Sequence, residues 1–188
     1  MKTRLRTHYA APATPRPAAA TAPAPTFWHR AANLLRQLHR RSPPLAWAGW
    51  LCVALALGAL LRLPFGHRFI TGVPGWLKPL KFALSIGVYT WTLAWLLASL
   101  PAPAQRAARR IAGGVALSMV VELVVIFGQA ARGTTSHYNA ATPLDAALFG
   151  LMGGFIVVNT GLSAWALYLV WRYRPQGSAG YVWGVRLG

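Results

Sequence analysis

The sequence predicts an all-α polytopic transmembrane helical bundle of about four spans, preceded by a basic amphipathic interfacial helix. Three observations predict it. Hydrophobic residues make up 55% of the chain and charged residues only 11%, whereas a soluble domain carries about a quarter. Apolar runs recur that are long enough to cross a bilayer at about 1.5 Å of rise per residue. Nineteen Lys and Arg stand against two acids, and the basic residues gather before and between the apolar runs. That placement follows the positive-inside rule and attraction to anionic headgroups, and no nucleic-acid motif accompanies the charge. Nucleic acid is therefore not an expected partner. A single cysteine, Cys52 within an apolar run, leaves no disulfide framework and no cysteine-based metal site.

Residues 1–26 are Ala, Pro and Thr with scattered Arg and Lys, a composition that builds no core and predicts a disordered tail. Residues 27–42 differ. Phe27, Trp28, Ala31, Leu34, Leu35 and Leu38 recur at helical spacing, with Arg30, Asn33, Arg36, Gln37, Arg40 and Arg41 mostly opposite. This is the pattern of a helix lying in the membrane interface against anionic lipid headgroups. Packing on the rest of the protein is the plainer alternative. Ser42-Pro43-Pro44 ends the helix.

A four-span membrane domain is predicted over residues 43–175, with spans at about 45–61, 79–100, 111–131 and 144–171. Trp47 and Trp50 anchor the start of the first span and Arg62 closes it. The connector Leu63–Pro79 is long, broken by Pro and Gly, and predicted to fold back onto the membrane surface or into the bundle. In the second span Lys78, Lys81, Ser85, Tyr89 and Thr92 form one polar stripe, predicted to face the bundle because lipid offers it no partner. Gly114 and Ser118 in the third span, and Gly150 and Gly154 in the fourth, have the spacing of close helix contacts and make self-association or a partner subunit conceivable. Residues 176–188 read either as an interfacial tail or as the start of a fifth span in a longer chain. Fourteen of the nineteen basic residues fall on one side of this topology. The bias predicts a cell inner membrane protein with both termini cytoplasmic, and puts the His67 and His137 loops outside.

Chemistry concentrates between Ser118 and Asp145, which holds both acids of the chain. Glu122 lies in the middle of the third span, roughly 14 Å below its outer end, and a lone carboxyl group there is by default functional. Tyr89 and Ser85 are its predicted partners, with Lys81 in reach through its flexible stem. Such a carboxyl group serves as a proton relay or cation ligand, or simply as polar glue between helices. Gln129, Arg132, His137 and Asn139, with Ser136, make a dense polar set at the outer mouth. Asp145 belongs to a capping box, Thr142-Pro143-Leu144-Asp145, with an added ion pair to Arg132 or Lys78.

The runs GWLKPLKFALSIGVYTWTLAWLL, ELVVIFGQAARGTTSHYN and ATPLDAALFGLMGG resemble an uncharacterised family of bacterial multi-pass inner-membrane proteins, over about residues 45–188. The resemblance implies a membrane bundle that continues into further spans, and carries no activity or catalytic residues.

These readings favour a non-enzymatic membrane protein, either a transporter-like unit or a subunit of a membrane complex, with its polar site around Glu122. No cofactor or metal is predicted. The alternative is a redox module binding haem or quinone through His67 or His137. A lipid-modifying enzyme ranks last, since two carboxyl groups without a metal or nucleophile motif leave little machinery.

Overall fold

A computed structural model describes residues 26–187 other than 67 and 176. Most of the Ala/Pro-rich tail and His67 lie outside the described residues. The fold is an all-α bundle: α1 Phe27–Arg41, α2 Pro43–Arg62, α3 Leu77–Ala98, α4 Gln105–Arg132, α5 Pro143–Arg172 and α6 Ala179–Leu187, with a short hairpin of β1 Phe69–Ile70 and β2 Val73–Pro74. Four of these helices, α2 to α5, are long and apolar enough to cross a membrane.

Pro43 and Pro44 begin α2, where a missing N–H costs nothing. Helix α2 then packs against α3 through small residues. Ala48, Gly49, Cys52 and Ala56 of α2 and Ala83, Gly87 and Ala94 of α3 are buried. A Cβ on Gly87 would stand 3.2 Å from the Cys52 Cβ, and one on Gly49 would collide with the Trp91 indole. Helix α4 is the most buried of the four and forms the centre of the core, with Ile111, Val115, Met119, Leu123 and Ile126 inside. Gly114 lets Leu162 of α5 approach within 2.6 Å of where its Cβ would be, so the close contact expected at Gly114–Ser118 is present. Helix α5 is buried along very little of its length.

The connector between α2 and α3 does fold back. Thr71 and Gly72 both have positive φ, the signature of a type I′ turn, and pair Phe69 with Pro74 and Ile70 with Val73. Trp76 then packs on Phe127 at a centroid distance of 6.3 Å. Helix α1 sits against α2 and α3, with Leu38 on the core and Arg41 over the Trp95 ring at 6.0 Å. Phe27, Trp28 and Leu34 remain exposed on it.

One expectation is corrected. The polar stripe of α3 does not face the bundle as a unit: Lys81, Ser85 and Thr92 are exposed. The small residues of α3 take the inward face instead, because they permit the close approach to α2. Ser85 needs no bundle partner, since its hydroxyl donates to the Lys81 carbonyl oxygen at 2.9 Å. Among the described residues nothing lies within 4 Å of a Cβ position at Gly150 or Gly154, which leaves this face of α5 open.

Candidate functional site

Helix α4 ends in a Schellman motif. Gly133 adopts φ +77, the Thr134 N–H donates to the Gln129 carbonyl oxygen and the Gly133 N–H to that of Ala130, both at 3.0 Å. The reversal sends residues 134–142 back along the helix they have just left. Asn139 fixes this loop: its Nδ2 donates to Thr134 Oγ1 at 2.9 Å and to the Thr135 carbonyl oxygen at 3.0 Å, and its Oδ1 accepts from the Ala141 N–H at 3.1 Å. Tyr138 has φ +55, an uncommon value for a residue with a side chain. The twist turns the Tyr138 ring outward, 90% exposed, while its neighbour His137 enters the bundle.

His137 meets three charged or polar groups. Its Nδ1 lies 3.1 Å from Lys78 Nζ and 3.0 Å from Ser136 Oγ. Its Nε2 lies 3.9 Å from Oε1 of Glu122. An ammonium group has only protons to give, so Nδ1 accepts, and the neutral ring carries its proton on Nε2, aimed at the carboxyl group. Burial of the ring, and then the Lys78 charge, hold the His137 pKa below the usual histidine value. The ring also rests on Phe82 at 5.7 Å between centroids. Glu122 is 3% exposed, and its Oε2 has no hydrogen-bond partner among the described residues. A small cavity of about 70 Å³ lies beside the cluster, lined by Lys78, Pro79, Ile126 and Thr134 to Ser136.

A second cluster braces the loop. Asp145 is 3% exposed and accepts from Gln129 Nε2 at 2.8 Å, Arg132 Nη1 at 2.7 Å and Thr142 Oγ1 at 2.7 Å. Thr142 Oγ1 in turn accepts from the Asp145 N–H at 3.1 Å, the N-cap half of the capping box, while the Asp145 carboxylate reaches back to the Thr142 hydroxyl and not to its backbone N–H. The ion pair goes to Arg132, and Lys78 is used by His137 instead.

Of the predicted site residues, the fold brings together Glu122 and His137, and beside them Gln129, Arg132 and Asn139. It leaves out Lys81 and Ser85, both exposed, and Tyr89. The Tyr89 hydroxyl bonds Ser163 Oγ at 2.9 Å and donates to Asn159 Oδ1 at 3.4 Å, tying α3 to α5. The depth reckoning failed because α4 outlasts the start of α3. Its last turns run beside Trp76 and the hairpin, so Glu122 stands level with the first turns of α3, around Lys78 and Phe82. His137, expected at an outer mouth, has its Nε2 3.9 Å from Glu122 Oε1. Lys78 and Phe82 were missed as site residues. Lys78 did stand in the polar stripe and as a possible partner of Asp145, one turn ahead of Phe82. As for a haem ligand, His137 Nε2 is directed at Glu122, and His67 lies outside the described residues.

The fold and site define a class: a helical bundle with four helices long and apolar enough to cross a membrane, and a buried carboxyl group beside a half-buried histidine and lysine. No family model matches the chain, and neither a curated protein nor a solved structure does.

Proposed function

We propose that this is a non-enzymatic integral membrane protein, a proton-coupled transporter-like unit or a subunit of one, in which Glu122, His137 and Lys78 take up and release a proton. The observation that carries the reading is the Glu122 carboxyl group: buried, with no hydrogen-bond partner for Oε2 among the described residues and with His137 Nε2 3.9 Å from Oε1. A carboxyl group built as glue would have its oxygens bonded, as those of Asp145 are. An intramembrane acid that is left open is suited to gaining and losing a proton. His137 is the conductor next to it, with Ser136 and the small cavity on its far side. Lys78 supplies the compensating charge. In the cell inner membrane with both termini cytoplasmic, the arrangement the basic-residue bias favours, this cluster opens toward the exterior, and α1 rests on anionic headgroups. The exposed apolar length of α5 leaves room for a partner subunit or a second copy. The resemblance to the multi-pass bacterial family fits the same picture.

The test is infrared difference spectroscopy of the purified protein between acid and neutral pH. A carboxylic C=O band should appear with acid in the wild type and vanish in Glu122→Gln, with membrane insertion unchanged. An identical difference spectrum in Glu122→Gln removes the residue from proton binding and the proposal with it.

A further inference from the structure

The end of the bundle that carries the hairpin has a second recess, separate from the Glu122 cluster. It is an open cavity of about 380 Å³ lined by Arg62, Phe65, Gly66, Arg68, Gly75, Trp76, Ala130 and Ala131. Its size falls in the range of small-ligand sites. Small residues make the room. A Cβ on Gly66 would stand 2.9 Å from Trp76 Cδ1. Gly133, at the left-handed end of α4, leaves the space that Arg68 fills: a Cβ there would lie 2.8 Å from Arg68 Nη1. The indole of Trp76 is held from two sides, by Phe127 at 6.3 Å and by the Arg62 guanidinium at 5.8 Å.

Charge makes this recess unusual. The chain has two acidic residues, Glu122 and Asp145. Asp145 is taken by Arg132, and Glu122 faces His137. No acidic side chain remains to neutralise Arg62 or Arg68, although both line one cavity. Two arginines lining one recess with an aromatic wall supply the planar, forked donors that suit carboxylate and phosphate groups. We infer that the recess between Arg62, Arg68 and Trp76 binds a phosphate- or carboxylate-bearing anion. Such a group comes either from a lipid headgroup or from a small soluble anion. The recess shares Gly75 and Ala130 with the small cavity beside Lys78 and Ser136, so an anion held there would sit next to the proton-binding cluster.

The experiment uses the full chain with two probes: inorganic phosphate titrated by calorimetry in neutral detergent, and phosphatidylglycerol retention from mixed phosphatidylcholine nanodiscs, read by native mass spectrometry. Arg62→Gln and Arg68→Gln should each weaken binding of at least one probe by about tenfold. Arg62→Lys and Arg68→Lys should fall between, and Thr92→Ala on the exposed face of α3 should bind as the wild type does. Phosphate binding alone assigns a soluble anion; phosphatidylglycerol binding alone assigns a lipid headgroup. Failure of both probes to bind the wild type, or equal binding by the Gln variants and the wild type, overturns the inference. Neither outcome depends on whether Glu122 titrates.

Discussion

Replacing His137 with alanine tests the centre of the site. The substitution removes an acceptor 3.0 Å from Ser136 Oγ and 3.1 Å from Lys78 Nζ, and a ring 5.7 Å from Phe82. Ser136 is buried, so stranding its hydroxyl costs about 1–3 kcal/mol. The lost ring contact adds about 0.5–1.5 kcal/mol. Lys78 is only half-buried and regains water, so it adds little. The sum is about 2–4 kcal/mol, or about 5–15 °C in melting temperature for a chain of this size. The assay is thermal unfolding in detergent across pH. The His137 pKa is depressed in the folded protein, so above its ordinary value of 6.5 both states hold the ring neutral and its contribution is complete. As pH falls below that value the unfolded chain binds the proton first, and stability drops until the folded pKa is passed. His137→Ala should lose this acid slope. His137→Gln, whose amide oxygen accepts from Lys78 and Ser136, should recover much of the stability while staying flat with pH. A melting temperature unchanged by His137→Ala, or an acid slope that survives both substitutions, would refute the reasoning.

Other perturbations separate the parts of the site. Asp145→Ala should lower the melting temperature more than Arg132→Ala, because it strands the buried Gln129 Nε2 and takes the acceptor from the Thr142 hydroxyl, whereas Asp145 without Arg132 keeps its bonds to Gln129 and Thr142. Gly133→Ala should cost about 1–2 kcal/mol in the same assay, from a Cβ at φ +77. Gly133→Asn should cost less, since asparagine tolerates that conformation. Tyr89→Phe removes the bond to Ser163 and should destabilise by about 1 kcal/mol, yet leave the acid-induced carboxyl band in place.

Much of the bundle was legible along the chain. The four spans were found within a few residues, apart from the start of α4, where Arg106, Arg109 and Arg110 read as loop but lie in the helix. Lipid imposes its demand locally, on each run of residues, so hydropathy reports it without knowledge of the partners. The capping box was legible for the same reason, being formed by residues three apart. Glu122 stood out because an intramembrane acid is costly wherever its neighbours lie.

What surrounds Glu122 was a different matter. Its three supposed partners were chosen by counting residues from helix ends, which treats every helix as beginning at one plane. Only the packed structure shows that α4 runs past α3, that Ser85 satisfies itself on its own backbone, and that a left-handed glycine and a positive φ at Tyr138 bring His137 back inside. The sequence by itself determined which segments cross and where the acids lie, because those follow from the solvent each residue must meet. Which helix face turns inward, and which side chains therefore touch, depends on the fit between small residues on neighbouring helices, and that was settled only when the helices closed on one another.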